Sequence, residues 1–359
     1  MPLRAVLDQR DIQAFDYSSE EWTALKGTYR NSILVTACCG HKAIPKTSPL
    51  GTQFFAHARR GDCTSAPETK EHLLAKTIIA KAAKAAGWQV ITEAPGLTPD
   101  GESWIADVLC QRGNARVALE TQWSAQTLAS YRQRQDRYRR AGVRTAWFVR
   151  RLPNNPERWG EARSTAELPM FQLQANEAAS GFTVEPFGAE LGTFVTRMLS
   201  GALRWEPKPG REYELRINLA QEACWRCSTP TNVITAITLH HLRYGQVGYQ
   251  MVAHTPAAYE LLRAHLTPHH HQQLRLGSLK QRHSRTVGRA YLSQGCYHCD
   301  ALMGDWHIME LTLELASGGE LGEGIPIGTV TFAPDLQKFF PPDWRYAATP
   351  GPVKAPTTG

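Results

Sequence analysis

Between residues 65 and 149 the spacing of apolar positions changes period several times, and each change marks an element. Leu74, Ile78 and Ala82 recur at the four-residue interval of a helix face. Ser65-Ala-Pro-Glu68 reads as a capping box with proline in the first turn, so a helix is expected from Ser65 to about Ala86, where Gly87 stops it. Three strand-like runs follow: Trp88 to Glu93, Trp104-Ile-Ala-Asp-Val-Leu109 and Arg116-Val-Ala-Leu-Glu-Thr-Gln122. Gly113-Asn114 between the last two is a favoured two-residue hairpin turn. A second helix is expected from about Ala125 to Ala141, ended by Gly142, and Arg144-Thr-Ala-Trp-Phe-Val149 reads as a buried strand. The order helix, three strands, helix, strand predicts an α/β (α+β) fold with a mixed sheet flanked by helices.

Two of these strands carry a carboxylate inside a near-continuous apolar run. Asp107 is flanked by Ile105, Val108 and Leu109, and Glu120 by Val117, Ala118 and Leu119, whereas a solvated strand face alternates cleanly. Counting back from the turn sets Asp107 opposite Glu120, with Cβ atoms roughly 4.5–5.5 Å apart. Gln122 shares the face of Glu120, and Glu71 lies near the apolar stripe of the preceding helix. Acids held so close repel unless a cation neutralises them. A divalent metal is therefore expected, and a metal on carboxylates suits phosphate chemistry. The alternative is a pair of acids facing water.

With those residues in place the chain resembles the PD-(D/E)XK nuclease superfamily and, more narrowly, the CoiA-like competence proteins of bacteria. The matching pieces are Phe54-Phe-Ala-His57, Glu71-His72 with Lys76, Ala106-Asp-Val108, Leu119-Glu-Thr-Gln-Trp-Ser124, Arg134 with Tyr138, and Trp147. The resemblance runs from about Cys38 to Arg151. It implies a restriction-endonuclease-like fold in which Asp107 and Glu120 hold Mg²⁺ or Mn²⁺ and Glu71 binds or orients the metal or its water. Gln122 stands where the superfamily usually has lysine, and an amide can orient but not carry charge. Arg134 and Tyr138 share a helix face and look like the motif that contacts a phosphate or the metal-bound water. His72 and Lys76 have a second reading, as a surface histidine and a solvated lysine. The implied activity is metal-dependent hydrolysis of DNA in uptake, recombination or defence against foreign DNA, with recombination or defence proteins as partners. A non-catalytic DNA-binding accessory protein and an RNA-directed nuclease are the rivals.

Composition narrows the setting. The chain has 359 residues and a formal net charge of +7, which suits an anionic partner. Its start, Met1-Pro-Leu-Arg-Ala-Val-Leu-Asp, does not read as a secretory leader, and no apolar stretch approaches the roughly 20 residues of a membrane span. A cytoplasmic protein is expected, so its eight cysteines are expected as metal ligands before disulfides.

Cys224-Trp-Arg-Cys227 and Cys296-Tyr-His-Cys299 form two Cys-x-x-Cys knuckles, expected to share one structural Zn²⁺ in a zinc-ribbon-like C-terminal module. Nearer the front, one of Cys38 or Cys39 with His41, His57 and Cys63 makes a second possible zinc set, where CoiA-like proteins have a zinc-finger-like segment. From Leu261 to Cys299 there is no acid, and Arg275, Lys280, Arg282 and Arg285 are expected to face nucleic acid. Leu168–Leu173 and Phe182–Phe187 read as strands, Leu191–Trp205 as an amphipathic helix, Glu206-Pro-Lys-Pro-Gly210 as a linker and Pro341–Gly359 as a flexible tail. The expected domains are residues 1–64, a nuclease-like domain at 65–152, an extension and linker at 153–210, the knuckle module with a basic lobe at 211–340, and the tail.

Overall fold

The structure, a computed structural model, describes residues 2–59, 61, 63, 68–153, 164–176, 180–319 and 322–347. The chain divides into two compact units, Met1–Leu203 and Arg204–Gly359.

The first unit opens with β1 (Arg4–Leu7), β2 (Arg10–Gln13), α1 (Ser19–Thr28), β3 (Leu34–Thr36) and the hairpin β4 (Ala43–Thr47) and β5 (Gln53–His57). Ser18 and Glu21 close a capping box on α1, whose Trp22 and Leu25 pack with Phe54 and Phe55. Then come α2 (Lys70–Ala85), β6 (Gln89–Leu97), β7 (Ser103–Arg112), β8 (Ala115–Gln122), α3 (Leu128–Arg140) and β9 (Arg144–Val149). The sheet continues through β10 (Met170–Ala175), β11 (Phe182–Glu185) and β12 (Ala189–Glu190), and α4 (Leu191–Leu199) follows. These strands make one seven-stranded sheet in the order β12-β11-β10-β9-β8-β7-β6. β9 runs parallel to both β8 and β10, and α3 is the crossover that a parallel β8–β9 pair needs. The expected mixed sheet with flanking helices is present.

Local chemistry explains the boundaries. Gly113 takes φ 57° and Arg112 pairs with Ala115, so the hairpin turn is where its sequence puts it. Gly87 and Gly142 sit at positive φ and end α2 and α3. Several boundaries differ from expectation: α3 starts at Leu128 and not Ala125, and β6 runs on to Leu97. α2 starts at Lys70, capped by the Thr69 hydroxyl, while Ser65–Pro67 lie outside the described residues. α4 stops at Leu199, because Gly201 at φ 81° turns the chain and a strand follows. The apolar stripe of α2 is also wider than Leu74, Ile78 and Ala82. Leu73, Ala75, Ile79, Ala80 and Ala83 are buried as well, since the helix packs on both the sheet and α4.

β13 (Leu203–Glu206) begins on the last residue of the first unit, and the second unit goes on with the long hairpin β14 (Glu212–Ala223) and β15 (Pro230–His241), β16 (Gly245–Met251), α5 (Pro256–His265) and α6 (Pro268–Gln273). It continues with β17 (Leu279–Ser284), β18 (Arg289–Gly295), β19 (Leu302–Met303), α7 (Asp305–Ser317), β20 (Ile325–Thr331) and β21 (Asp343–Tyr346). One sheet runs β16-β15-β14-β20 and a second β17-β18-β19. Tyr213, Leu215, Ile217, Ile237 and Leu239 are core residues of the four-stranded sheet, joined by Tyr259 and Leu262 of α5. Buried Gln294 joins the two sheets by accepting from Ile234 N and donating to Ile234 O, both at 2.7 Å. The expected linker is partly built in: Glu206 is buried and accepts from Arg211 and Tyr213. The expected tail is likewise ordered at its start, where β21 pairs with β13. Residues 348–359 lie outside the described ones.

Candidate metal centre of the first unit

The β7–β8 ladder is regular from Arg112↔Ala115 to Val108↔Leu119, and side chains enter it one step further on. Asp107 N donates to Glu120 Oε1 at 3.2 Å, and Thr121 N donates to Asp107 Oδ2 at 2.9 Å. The register puts Asp107 and Glu120 opposite each other, as the turn predicts. Beyond that point their carboxylates belong to different surroundings.

Asp107 meets α2. Its Oδ2 lies 3.5 Å from His72 Nε2, which is 4.0 Å from Glu68 Oε1. Glu68, His72 and Asp107 each offer a ligand atom within 4.8 Å of the others. His72 Nε2 is buried with no hydrogen-bond partner and sits between two carboxylates. Burial opposes ionisation of Asp107, yet the charges of His72 and Lys76 and the Thr121 N–H hold it well below the usual carboxylate range. Burial also opposes the charged form of His72, but Asp107 and Glu68 outweigh it and raise the imidazole.

Glu120 meets α3. It is fully buried, with Oε1 2.5 Å from the Tyr138 hydroxyl and Oε2 accepting from Arg134 Nη2. Burial first, and the Asp107 charge second, push its carboxyl up to about 7 against the pull of Arg134 and Tyr138. Arg134 is fixed from three sides: it reaches Glu120, donates to Gln122 Oε1 at 3.3 Å and stacks its guanidinium 4.6 Å above the Trp147 ring. Gln122 turns its amide nitrogen to Ser124, 2.9 Å from the hydroxyl.

Lys76 is the residue that the sequence reading misplaced most. It is not solvated but wholly buried, donating to Glu68 Oε1 at 2.8 Å and to Glu93 Oε1. Glu93 sits at φ 45° in a break of the β6–β7 ladder and accepts from Leu3 N and Arg4 N at 3.0–3.2 Å. Its side chain therefore holds the N-terminal strand and Lys76 at once. Sequence reasoning missed Glu68, Glu93 and the burial of Lys76. Glu71 is not in the ligand group and pairs with Lys70 at 3.8 Å. Tyr138 is buried on Glu120, which leaves Arg134 the more accessible of the expected phosphate contacts.

The donor set fits a divalent cation. Glu68, Glu93, Asp107 and Glu120 gather here with His72, Lys76 and Arg134, so oxygen and nitrogen donors stand together in a largely buried place. Two carboxylates and an imidazole suit Mn²⁺ as well as Mg²⁺, which prefers oxygen.

Residues 68–179 match the family model of the nuclease-like domain of competence protein CoiA. This part of the chain is similar to a CoiA nuclease-like domain. Glu68, His72, Lys76, Asp107, Glu120, Gln122, Arg134 and Tyr138 all fall within the match. The match suggests a nuclease-related function in competence. No curated protein matches the chain. No helix among the described residues is long and apolar enough to cross a membrane.

Outside the matched residues are two cysteine groups, each able to hold a metal ion. Ligands about 2.3 Å from a tetrahedral zinc lie roughly 3.8 Å apart. In the second unit Cys224 and Cys299 Sγ are 3.6 Å apart, and Cys227 and Cys296 Sγ 3.7 Å. Hydrogen bonding from Thr229 brings the Cys227 thiol down to about 6, and metal ligation uses the thiolate. In the first unit the group is Cys38, Cys39, His57 and Cys63. Both adjacent cysteines join it, contrary to expectation, with Sγ atoms 3.8 Å apart and 3.4 and 3.3 Å from His57 Nε2. His41 stays outside the group, its Nδ1 3.0 Å from Cys39 Sγ.

The basic residues divide. Arg282 is buried, and it donates to Ser293 O at 2.7 Å, to Ser278 and to Asp300. Lys280 also pairs with Asp300. One acid just beyond the acid-free stretch thus claims both. Arg275 and Arg285 are exposed.

Proposed function

We propose that the centre around Asp107 is a metal-dependent nuclease site of PD-(D/E)XK type, hydrolysing DNA phosphodiester bonds during DNA uptake, recombination or defence against foreign DNA. The observation that carries this reading is the unpartnered His72 Nε2 set between Glu68 and Asp107 beside a buried lysine. Asp107, Glu68 and His72 would hold Mg²⁺ or Mn²⁺, which supplies activated water and neutralises charge on the phosphate. Lys76 brings the positive charge that Gln122 lacks and keeps the Glu68 carboxylate in place. Arg134 and Tyr138 hold Glu120, whose negative charge backs the site from the α3 side. We further propose structural Zn²⁺ in both cysteine groups.

Incubation with labelled single- and double-stranded DNA and RNA, in Mg²⁺, Mn²⁺ or neither, tests the activity. DNA cleavage in either metal, lost in Asp107→Ala and His72→Ala, is expected. Equal cleavage by those variants would overturn the site, and RNA as the preferred substrate would correct the substrate. One observation favours a second reading, a DNA-binding protein without catalysis: Lys76 already neutralises part of the acidic group in the absence of an ion. DNA binding without cleavage in either metal would establish it.

A further inference from the structure

We propose that the two cysteine knuckles of the second unit form a base-stacking platform for single-stranded nucleic acid. The proposal rests on the nucleic-acid reading of the chain but not on its catalytic activity.

The knuckles are built alike. One caps the β14–β15 hairpin, closed by Ala223↔Pro230, and the other caps β18–β19, closed by Gly295↔Leu302. In each, the first cysteine donates its N–H across the turn: Cys224 to Thr229 O at 3.0 Å, Cys296 to Ala301 O at 2.8 Å. In each, the residue two beyond that cysteine donates to its sulfur at 3.4 Å, from Arg226 N and from His298 N. Each closes on a residue in the left-handed region, Ser228 at φ 58° and Asp300 at φ 57°. Between the cysteines both knuckles carry an aromatic residue followed by a basic one, Trp225-Arg226 and Tyr297-His298.

Both rings are exposed, Trp225 by 72% and Tyr297 by 44%, and Arg226 and His298 are exposed beside them. Trp225 is also oriented, since its Nε1 donates to Leu302 O at 2.9 Å. A lone exposed ring needs no explanation. Two rings at equivalent positions of two turns around one cysteine group, one followed by arginine and the other by histidine, are a different matter. The acids nearest in sequence are Glu222, 3.5 Å from His307, and Asp300, whose oxygens are taken by Lys280, Arg282 and Ser278. Exposed Arg275, Arg285 and Arg289 add positive charge nearby in the chain. Ring faces recognise bases that are not already stacked, and cations beside them hold the phosphates, so the fitting ligand is a single strand.

The test is fluorescence anisotropy of a labelled oligothymidylate and of a duplex of equal length, with the full chain in Ca²⁺ and no chelator. Trp225→Ala with Tyr297→Ala should weaken oligothymidylate binding by about tenfold or more while duplex binding changes much less. Zinc content should be unchanged, and Trp225→Phe should keep most of the affinity. If the alanine pair sheds zinc, the leucine pair, with apolar bulk but no ring, carries the same expectation. Unchanged oligothymidylate affinity, or equal losses on strand and duplex, would overturn the platform. Failure of the wild-type chain to cleave DNA, with the ring effect intact, would instead overturn only the nuclease reading.

Discussion

The centre around Asp107 and the centre at the knuckle tips gather metal-ligating atoms by opposite means. Asp107 and Glu120 stand on neighbouring strands of a sheet backed by Trp104, Ala106, Tyr131, Tyr138 and Trp147, a core to which neither carboxylate belongs. The knuckle cluster consists of Cys224, Cys296 and Ala301 with Cys227 and Cys299 alongside, so the ligands are themselves the packing. The first centre mixes oxygen and nitrogen donors whose titration is shifted in opposite directions, as suits a site that binds and acts. The second offers four sulfurs at tetrahedral spacing, which leaves an ion no open position and suits support of the fold. The difference teaches where an ion would be a reagent and where it would be part of the framework.

The largest effect expected follows from that contrast. Cys227→Ser should remove one equivalent of zinc and loosen the second unit, because metal binding there is folding free energy, about 10 kcal/mol or more in zinc-finger peptides. Elemental analysis and limited proteolysis would show zinc loss with new cleavage points between Arg204 and the C-terminus. Removing Mg²⁺ or Mn²⁺ should leave the melting temperature nearly unchanged. If the serine variant retains its metal and its protease resistance, the knuckles do not support the fold as described.

Next in size is Lys76→Ala. It leaves Glu68 and Glu93 without their buried cation, and breaking a buried pair from one side costs about 3–5 kcal/mol. Urea denaturation should show that loss in the first unit. A change under about 1 kcal/mol would mean that the lysine is not the clamp its position indicates.

Lys76 also shows where the sequence was readable and where it was not. The order of elements was legible because α2, β7, β8, α3 and β9 each carry their own period, and Gly113-Asn114 set the register of Asp107 against Glu120. The burial of Lys76 was written in the spacing too: Leu73, Lys76, Ala80 and Ala83 form one buried row, and a lysine within it invites a search for acids. Its partner Glu93 was not legible, since it comes from a ladder break that no local pattern announces. Arg282 repeats the lesson, its partner Asp300 standing one residue past the stretch read as free of acids. The joint use of Cys38 and Cys39 was hidden because spacing alone argues against adjacent ligands.

The two opposed acids should respond differently to neutral replacement, the two variants differing by about 1 kcal/mol or more. Asp107 is held below its ordinary pKa, so its charged form is favoured in the fold, and Asp107→Asn should lower metal-free stability at about pH 8. Glu120 is raised to about 7, so its charged form is disfavoured, and Glu120→Gln should hold or raise stability at the same pH. Matched thermal melts decide the point. Destabilisation of the same sign and size in both would mean that one shared environment governs the pair.

The smallest effect belongs to the exposed arginines of the second unit. Arg275 and Arg285 are exposed, whereas Lys280 and Arg282 are committed to Asp300. Neutralising the first two should weaken binding to all sequences alike and flatten the slope of log K against log salt by roughly 0.7–0.9 for each phosphate no longer neutralised. Arg282→Ala should act otherwise. It empties a buried position that donates to Ser293 O, Ser278 and Asp300, so the effect should appear in stability before it appears in the salt slope. Titrations at several salt concentrations, paired with melts, separate the two classes. If Arg282→Ala flattens the slope while leaving stability untouched, its side chain faces phosphate in solution, and gripping and supporting arginines are not separate classes in this unit.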